Sequence, residues 1–276
     1  MTERRRRQVA QKSLINAAKR KTKRDSGANP ETSRNTPQQL SFYEGLESLI
    51  EDRAVSPLEK MAGFPVYCSR QIITAFIERY HYFEMVLEIP GSIIDCGVGS
   101  GLEFMAFYHL SSILEPYHYT REIVGFDTFA GFPAISREDV SSGRASHLKV
   151  GGLKFQTYDA LSRALSIHDG NRALGHIPKG RLYKGDVCET LPKFLAENPQ
   201  LVVALLYLDV DLYVPTRCIL DLLLDRVPKG GVIVFDELNH RDYPGETRAV
   251  VEALGLRNLR LRRLPFASTT SYCVME

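Results

Sequence analysis

Short apolar runs alternate with amphipathic stretches over most of the chain from residue 92 onward. Runs rich in β-branched and aromatic residues, which predict strands, lie at 92–95, 122–127, 181–184, 201–209 and 232–236. Stretches with apolar residues at helical spacing lie at 102–114, 159–167, 189–197, 213–225 and 245–254. This alternation is typical of a parallel sheet with helices on both faces, so the pattern predicts an α/β fold.

The two ends of the chain depart from this alternation. Residues 40–61 and 72–87 have helical spacing and predict N-terminal helices, the first of which could pack over the active site. Runs at 259–264 and 268–274 have no helix between them and predict a terminal antiparallel hairpin. The pattern as a whole predicts a doubly wound, Rossmann-like sheet of seven strands.

Four carboxylates follow two of the predicted strands. Asp209 ends the run that begins at residue 201 and Asp211 follows it, and Asp236 ends the run that begins at residue 232 and Glu237 follows it. Because the carboxyl ends of parallel strands meet at one edge of a sheet, these acids should lie together, and their charge needs a cation or protons. A hard divalent cation is the simplest neutraliser. The alternative is that one or two of the acids only cap the helices that follow.

A glycine-rich turn follows the first predicted strand. Asp95 leads into Gly97, Gly99 and Gly101, and glycines at such a turn let the backbone approach a ligand at the N-terminus of the next helix. A dinucleotide-binding fingerprint needs a glycine where this chain has Leu102. The pattern Asp-x-Gly-x-Gly-x-Gly instead resembles motif I of class I S-adenosylmethionine (SAM)-dependent methyltransferases. A plain tight turn is the alternative.

Two further acids follow predicted strands. Asp127 could accept hydrogen bonds from both ribose hydroxyls of a nucleoside, as acids at this place in Rossmann-like sheets do. Asp186 could accept one from an adenine amino group. For Asp127, helix capping is the alternative.

A long irregular region separates the second and third predicted strands. Residues 134–180 are rich in Ser, Gly, Lys and His, and an insertion of this length is usually functional and often a lid. His147, His168 and His176 lie in it, but a lone loop histidine is more often exposed than essential.

Charge is distributed unevenly along the chain. Residues 1–37 contain eleven basic and three acidic residues, a net charge of +8, whereas the whole chain has a formal net charge of +2. The remainder is therefore acidic, and the N-terminal segment predicts a disordered tail. Because no aromatic residue lies among its charges, a solvated tail is favoured over nucleic-acid binding. Contact with an anionic membrane and a mitochondrial presequence are further alternatives.

Composition indicates one soluble domain after this tail. The chain has 276 residues, of which 44% are hydrophobic and 25% charged, so residues 38–276 can form one catalytic domain. No apolar run is as long as a membrane span, and the chain does not begin with a signal-peptide core. Five cysteines without a CxxC pair indicate reduced thiols, so we expect a cytoplasmic protein.

Several motifs from residue 67 to the C-terminus occur together in one order. They are Pro90-Gly91-Ser92-Ile93, Phe126-Asp127-Thr128-Phe129-Ala130-Gly131-Phe132-Pro133, Gly185-Asp186 with Thr190-Leu191-Pro192, and Leu208-Asp209-Val210-Asp211-Leu212-Tyr213 with Thr216. In this set the chain resembles the macrocin O-methyltransferase family, which includes methyltransferases acting on deoxysugars of macrolide and aminocoumarin antibiotics. The resemblance implies a class I methyltransferase sheet in the order 3-2-1-4-5-7-6, with N-terminal helices at 38–90 and a lid insertion at 134–180.

The same resemblance implies roles for individual residues. Asp209, Asp236 and Glu237 match Mg²⁺ ligands, although Glu237 stands where Asp or Asn is more usual, and Asp211 with Asp209 forms the catalytic pair, Asp211 taking the proton from the sugar hydroxyl. The residues expected to bind SAM are Asp95, Gly97, Gly99, Gly101, Asp127, Thr128, Asp186 and Asp209.

We therefore expect a SAM- and Mg²⁺-dependent O-methyltransferase that acts on a small polar acceptor bearing a sugar hydroxyl. The metal would lower the hydroxyl's pKa and orient it for in-line attack. Three alternatives are a metal-independent methyltransferase acting on nucleic acid or another small molecule, an NAD-linked oxidoreductase and a non-catalytic nucleotide-binding protein. The glycine spacing disfavours the oxidoreductase, and the acid cluster disfavours the non-catalytic protein. A homo-oligomer in which a partner chain covers the acceptor site is consistent with the family.

Overall fold

A six-stranded sheet lies at the centre of residues 36–140 and 147–276, which are the residues that the computed structural model describes. Its strands are β1 (Ser92–Cys96), β2 (Ile123–Asp127), β3 (Gly180–Lys184), β4 (Val203–Leu208), β5 (Val232–Phe235) and β6 (Ser271–Val274). The order across the sheet is β3-β2-β1-β4-β5-β6, and only β6 runs antiparallel to its neighbour. The direction of winding reverses between β1 and β4, the position at which α/β sheets open a ligand crevice.

The predicted seventh strand is wrong. Residues 259–264 form no strand and contribute only an isolated antiparallel bridge between Arg262 and Tyr272, and the run at 268–274 is a strand only over β6. A turn in which Ala267 donates its N–H to the Leu264 carbonyl brings the chain back at once. Residues 259–264 alternate Leu with Arg and so resemble a strand in sequence, but they lie outside the last full strand and their pairing stops after one bridge.

Helices cover both faces of the sheet. They are α1 (Pro37–Glu51), α2 (Pro57–Ala62), α3 (Phe64–Tyr67), α4 (Arg70–Met85), α5 (Leu102–Leu114), α6 (Tyr158–Asp169), α7 (Val187–Glu197), α8 (Tyr213–Leu223) and α9 (Pro244–Ala253). One apolar core lies between the sheet and α4, α5 and α6, and a second lies between the sheet and α7, α8 and α9. Within the described part of the chain, no helix has both the length and the apolar character needed to cross a membrane.

The predicted single N-terminal helix at 40–61 is two helices. α1 ends at Glu51, and α2 starts after the N-cap Ser56 with Pro57 in its first turn, because proline is favoured at a helix start and not in its interior. A capping box at Thr36 and Gln39 also fixes the start of α1. No residue of α1, α2 or α3 is buried, so the expected packing of this segment over the active site is not observed.

The insertion between β2 and β3 is partly ordered into short elements. It contains a 3₁₀ turn, Arg137–Asp139, and the helix α6, which confirms and slightly extends the helix predicted at 159–167. Residues 141–146 of the insertion and residues 1–35 of the predicted tail lie outside the described residues.

Candidate active site

A pocket lies at the carboxyl ends of β1, β2, β3 and β4. It is lined by Gly97, Gly99, Phe126, Asp127, Thr128, Gly131, Phe132, Pro133, Leu153, Phe155, Gly185, Asp186, Val187, Asp209, Val210, Asp211, Leu212 and Pro215. The glycine turn after β1 and the acidic loop after β4 therefore face the same space. This confirms that the topology brings these two sequence motifs together at the winding reversal.

Gly97 makes that approach possible. Its φ is +103°, and a Cβ atom at this position would lie 1.8 Å from the carbonyl oxygen of Asp209. The turn is tied to both neighbouring strands, because Gly97 donates its N–H to the Phe126 carbonyl at 2.8 Å and Asp209 donates its N–H to the Cys96 carbonyl at 2.8 Å. Only glycine fits where the two loops touch.

Asp127 forms part of the glycine turn as well as of the pocket wall. Its Oδ2 accepts the Gly99 N–H at 2.8 Å, and its Oδ1 accepts the Phe129 N–H at 2.5 Å. Burial raises the pKa of the Asp127 carboxyl, and the two backbone donors oppose that rise. Since each carboxylate oxygen has two lone pairs, both can accept a further hydrogen bond from a ligand.

Asp186 and Thr128 line the pocket and also hold local structure. Asp186 is the N-cap of α7, where its side chain accepts the Cys188 N–H at 2.9 Å. Thr128 donates its hydroxyl to the Gly131 carbonyl at 2.7 Å and so closes the turn after β2. Capping therefore accounts for one hydrogen bond of Asp186, and its second oxygen remains as a candidate ligand acceptor.

Asp95 and Gly101 lie behind the pocket and do not line it. Asp95 is fully buried, and neither of its carboxylate oxygens has a hydrogen-bond partner among the described residues. Burial, with the nearby charge of Glu103, raises the pKa of Asp95 well above its ordinary value. Gly101 begins α5 with φ +93°, and a Cβ atom there would lie 2.4 Å from Leu161, so this glycine makes room for α6.

Burial and neighbouring charges raise the pKa values of the carboxylates after β4 and β5. Burial and then the charges of Asp236 and Asp211 raise the pKa of Asp209 well above its ordinary value. Burial and then Asp236 raise the pKa of Asp211 to about 7, and burial raises that of Asp236 to about 6. After burial, the charge of Asp236 is the largest influence on the pKa values of both Asp209 and Asp211, so these three acids lie within electrostatic reach of one another.

The backbone at Asp211 is in the left-handed region. Its φ is +60°, and Leu212 donates its N–H to the Val210 carbonyl at 2.6 Å, which makes a three-residue turn centred on Asp211. Such a turn with positive φ is rare and strained for a residue with a side chain. The loop therefore presents the Asp211 side chain, which is 8% exposed, in a conformation that its surroundings must enforce.

Glu237 contributes, after burial and the other acids, to the raised pKa of Asp209, and it also contacts groups outside the acid cluster. Its backbone N–H donates to Glu246 Oε1 at 2.9 Å, and its carboxylate lies 3.4 Å from His240 Nδ1. Tyr243 packs beside His240 and hydrogen-bonds His147 from the insertion. Across the residues described, no group of three or more His, Cys, Asp or Glu side chains is arranged to hold a metal ion. The acids have the hard oxygen donors that Mg²⁺ prefers, but they do not converge as a three-ligand set.

A buried network beneath the acids was not predicted. Arg79 of α4 donates to Glu103 at 2.8 Å, to Glu78 at 3.0 Å and to the Tyr207 hydroxyl, and Tyr207 in turn donates to Asp236 Oδ1 at 3.3 Å. Burial acts to lower the pKa of Arg79, but Tyr207 and the acids around it raise it further, so the guanidinium stays charged. Tyr207 reads as one apolar residue of a buried strand, and sequence alone carries no signal of its partner 128 positions away.

The insertion contributes pocket residues that sequence analysis also missed. Leu153 and Phe155 line the pocket, and Thr157 donates its hydroxyl to the Gly99 carbonyl at 2.7 Å. Asp139 lies against the start of α8, where its Oδ1 accepts the Tyr213 N–H at 2.6 Å. Only the length of the insertion hinted at this role.

Comparison with known proteins gives a consistent picture. Residues 83–254 match the family model described as macrocin O-methyltransferase (TylF). The crystal structure of CalS11, a calicheamicin methyltransferase, is 33% identical, covers 87% of this chain and 93% of its own, and superposes with a TM-score of 0.83. The apo structure of CalS11, described as a TDP-rhamnose 3'-O-methyltransferase, is 32% identical over 87% of this chain and 95% of its own, with a TM-score of 0.75.

A more distant structure shares the fold. The O-methyltransferase NovP is 20% identical, covers 74% of this chain and 80% of its own, and has a TM-score of 0.54. No curated protein matches the chain.

Proposed function

Because the chain belongs to the macrocin O-methyltransferase family and is a SAM-dependent O-methyltransferase, we propose that it methylates a hydroxyl of a deoxysugar in natural-product biosynthesis. The similarity to CalS11, whose described substrate is TDP-rhamnose, supports a small sugar-bearing acceptor. We also propose that residues 38–276 are the methyltransferase domain and that residues 1–37 are a separate basic segment.

We assign the glycine turn and the wall around Asp127 to SAM. When bound, SAM supplies an electrophilic methyl group on a sulfonium. Asp127 would accept the ribose hydroxyls with the lone pairs that its backbone donors leave open, and Asp186 would accept a hydrogen from the adenine amino group. The rings of Phe132 and Phe155 give the pocket apolar walls suited to a purine ring.

We assign the loop after β4 to the acceptor. Asp211 lines the same pocket as Asp127 and would take the proton from the attacking hydroxyl, while Asp209 holds the loop beside Gly97. Displacement at a methyl group needs the hydroxyl oxygen in line with the bond that breaks, so orienting the acceptor is the main task of this loop. The observation that carries the proposal is the presence of Asp127 and Asp211 in one pocket.

We propose in addition that a divalent cation binds at Asp209 and Asp236, with Glu237 as a third ligand that must turn away from His240. The support is the charge that these acids share, which a cation would neutralise. A bound cation would polarise the acceptor hydroxyl. The test is a measurement of Tm in about 10 mM MgCl₂. The Tm of the wild type should rise, because a ligand that binds only the folded state stabilises it, and the Tm of Asp209→Ala should not change. Full activity and an unchanged Tm after EDTA treatment would exclude the metal.

The first experiment is titration of SAM into the protein, followed by methyl transfer to a panel of TDP-linked deoxysugars measured by mass shift. We expect saturable SAM binding that Asp127→Ala weakens at least about tenfold, since a charged hydrogen bond is worth roughly 1.5–3 kcal/mol. Asp211→Asn should bind SAM like the wild type and lose turnover. SAM binding with no methylation of any deoxysugar would leave the methyltransferase in place and refute the proposed acceptor.

A further inference from the structure

The loop after β4 needs an external support. Asp211 has a positive φ and sits in a three-residue turn, a conformation that costs on the order of 1–3 kcal/mol and persists only when neighbouring structure holds it. The helix that follows, α8, has Leu212 as its N-cap residue, and Leu212 provides no side-chain hydrogen bond to the first turn. The first N–H groups of α8 therefore receive no acceptor from the N-cap side chain and need one from elsewhere.

Asp139 of the insertion provides that support. It is 2% exposed, and its Oδ1 accepts the N–H of Tyr213, the first residue of α8, at 2.6 Å. Its Oδ2 accepts both the N–H and the hydroxyl of Ser136, at 2.8 Å and 2.6 Å. A carboxylate at a helix N-terminus is also favoured by the helix dipole. Asp139 thus acts as an N-cap for α8 from a distance of 74 positions in sequence.

Helix α9 fixes the position of Asp139. A Cβ atom on Gly245 would lie 2.0 Å from Asp139 Oδ1 and 2.6 Å from the Tyr213 nitrogen, so only glycine leaves room for the contact. Arg248 of α9 donates to the Glu138 carbonyl at 2.7 Å and holds the same turn from the other side. The turn at 137–139 therefore contacts both α8 and α9.

We propose that Asp139 is a positioning residue for the acceptor site, which holds Asp211 in its strained conformation by capping α8 through Tyr213. This inference rests on the proposed function, because it takes Asp211 as the group that meets the acceptor hydroxyl. It assigns the insertion a second role besides lining the pocket. The 3₁₀ turn at 137–139 would set the geometry of the loop after β4 without lining the pocket itself.

The test compares four variants by three measurements. Asp139→Ala removes the cap, Asp139→Asn keeps a carbonyl oxygen for the Tyr213 N–H, and Gly245→Ala forces apart the carboxylate and the Tyr213 nitrogen. Arg137→Ala, which changes an exposed side chain of the same turn, is the control. The measurements are amide hydrogen exchange of the segment from Asp209 to Thr216, the Kd for SAM by titration, and kcat and KM with the TDP-linked deoxysugar on which the wild type is most active.

For Asp139→Ala we expect exchange of the Tyr213 amide at least about tenfold faster, kcat lower by about 10- to 100-fold, and a Kd for SAM within twofold of the wild type. Gly245→Ala should change exchange and kcat in the same direction. Asp139→Asn should recover part of both, because its one carbonyl oxygen can accept the Tyr213 N–H but its amide nitrogen cannot accept the Ser136 N–H. Arg137→Ala should stay within twofold. A purely structural residue would instead weaken SAM binding and turnover together.

Several results would overturn the proposal. Unchanged amide exchange in both Asp139→Ala and Gly245→Ala would show that the cap does not hold the loop. Faster exchange with unaltered kcat would show that the loop geometry does not matter for turnover. If Asp211→Asn itself retains full turnover, the proposed function of Asp211 fails and the positioning role fails with it. If no deoxysugar is methylated, the acceptor assignment fails, and amide exchange alone still decides whether Asp139 holds the loop.

Discussion

The two faces of the sheet bury different chemistry. The core against α7, α8 and α9 is built from apolar side chains such as Ile94, Val124, Leu206 and Phe235, and the buried carboxylate on this side, Glu246, lies in the first turn of α9. The core against α4, α5 and α6 encloses Arg79, Glu78, Asp95 and Tyr207 among its apolar side chains. Buried charges add little or no net stability compared with apolar side chains of the same size, so the second face carries them at a cost.

The face that buries polar groups is the one connected to the candidate site. Asp236 lies at the sheet edge, and its hydrogen bond from Tyr207 leads directly into the polar face. The guanidinium of Arg79 lowers the pKa of Asp236 against the effect of burial, so the polar face helps to keep an acid of the candidate site ionised. The apolar face holds the fold, and the polar face also conditions the acids above it.

Loss of the Arg79 guanidinium should have the largest effect on stability. Arg79→Met removes the only guanidinium that Glu78 and Glu103 contact in hydrogen bonds within the described residues, and leaves buried carboxylates unpaired. We expect the free energy of unfolding to fall by about 3–5 kcal/mol, measured by urea denaturation. Leu206→Ala on the apolar face, expected to cost about 2–5 kcal/mol through a cavity, is the comparison variant. Adding Glu103→Gln to Arg79→Met should recover part of the loss, whereas Leu206→Ala combined with Glu103→Gln should show no such recovery.

The pH dependence of stability should distinguish the faces next. Burial raises the pKa of Asp95 well above its ordinary value, so the folded protein retains a proton that the unfolded chain releases above about pH 4. The contribution of Asp95 to stability is therefore greatest at low pH and is lost as the pH rises toward the folded pKa. Asp95→Asn should stabilise the protein at pH 8 by more than about 1.4 kcal/mol, the equivalent of one pKa unit, and have almost no effect near pH 4, measured by denaturation at both pH values.

A matched apolar variant provides the control for this prediction. Leu206→Ala should destabilise the protein by the same amount at both pH values, because it changes no titratable group. An Asp95→Asn variant with equal effects at pH 4 and pH 8 would show that Asp95 is ionised in the folded protein over this whole range.

The smallest expected effect comes from one hydroxyl. Tyr207→Phe removes the donor to Asp236 and an acceptor for Arg79, which keeps its contacts with Glu78 and Glu103. We expect a loss of about 1 kcal/mol by urea denaturation. Tyr183, whose ring stacks on Phe126 at 5.1 Å on the apolar face, gives the matched variant Tyr183→Phe, which should change stability by less than about 0.5 kcal/mol. Equal losses in the two variants would mean that the hydroxyl of Tyr207 has no special role.

The strands were predictable because burial on both faces selects continuous apolar runs. Residues 203–208, all buried, form β4 inside the predicted run at 201–209. The spacing of the glycines made the turn after β1 equally clear, and in the structure Gly97 and Gly101 both have positive φ. The family model confirms the resemblance to macrocin O-methyltransferases. Sequence motifs therefore located both sides of the pocket.

Contacts between distant segments were not predictable in the same way. Asp139 reads as one of several polar residues in a long insertion, and Arg79 reads as a charged position on an amphipathic helix, where an exposed side chain is the usual expectation. The buried state of each depends on a partner that folding brings close, Tyr213 for Asp139 and Tyr207 for Arg79. Local periodicity carries no information on contacts between distant residues. For the same reason it predicted a strand at 259–264, where the pairing with β6 that a strand needs is limited to one bridge.

The single bridge between Arg262 and Tyr272 has a consequence for the behaviour of the protein in solution. An uncovered outer strand offers its backbone groups to other chains and promotes aggregation. Here Arg262 and Tyr272 exchange two hydrogen bonds of 2.8 Å, so part of the outer edge of β6 is already occupied. Arg260 and Arg263 flank the bridge and add positive charge beside that edge. The segment thus blocks part of that edge against the addition of a further strand.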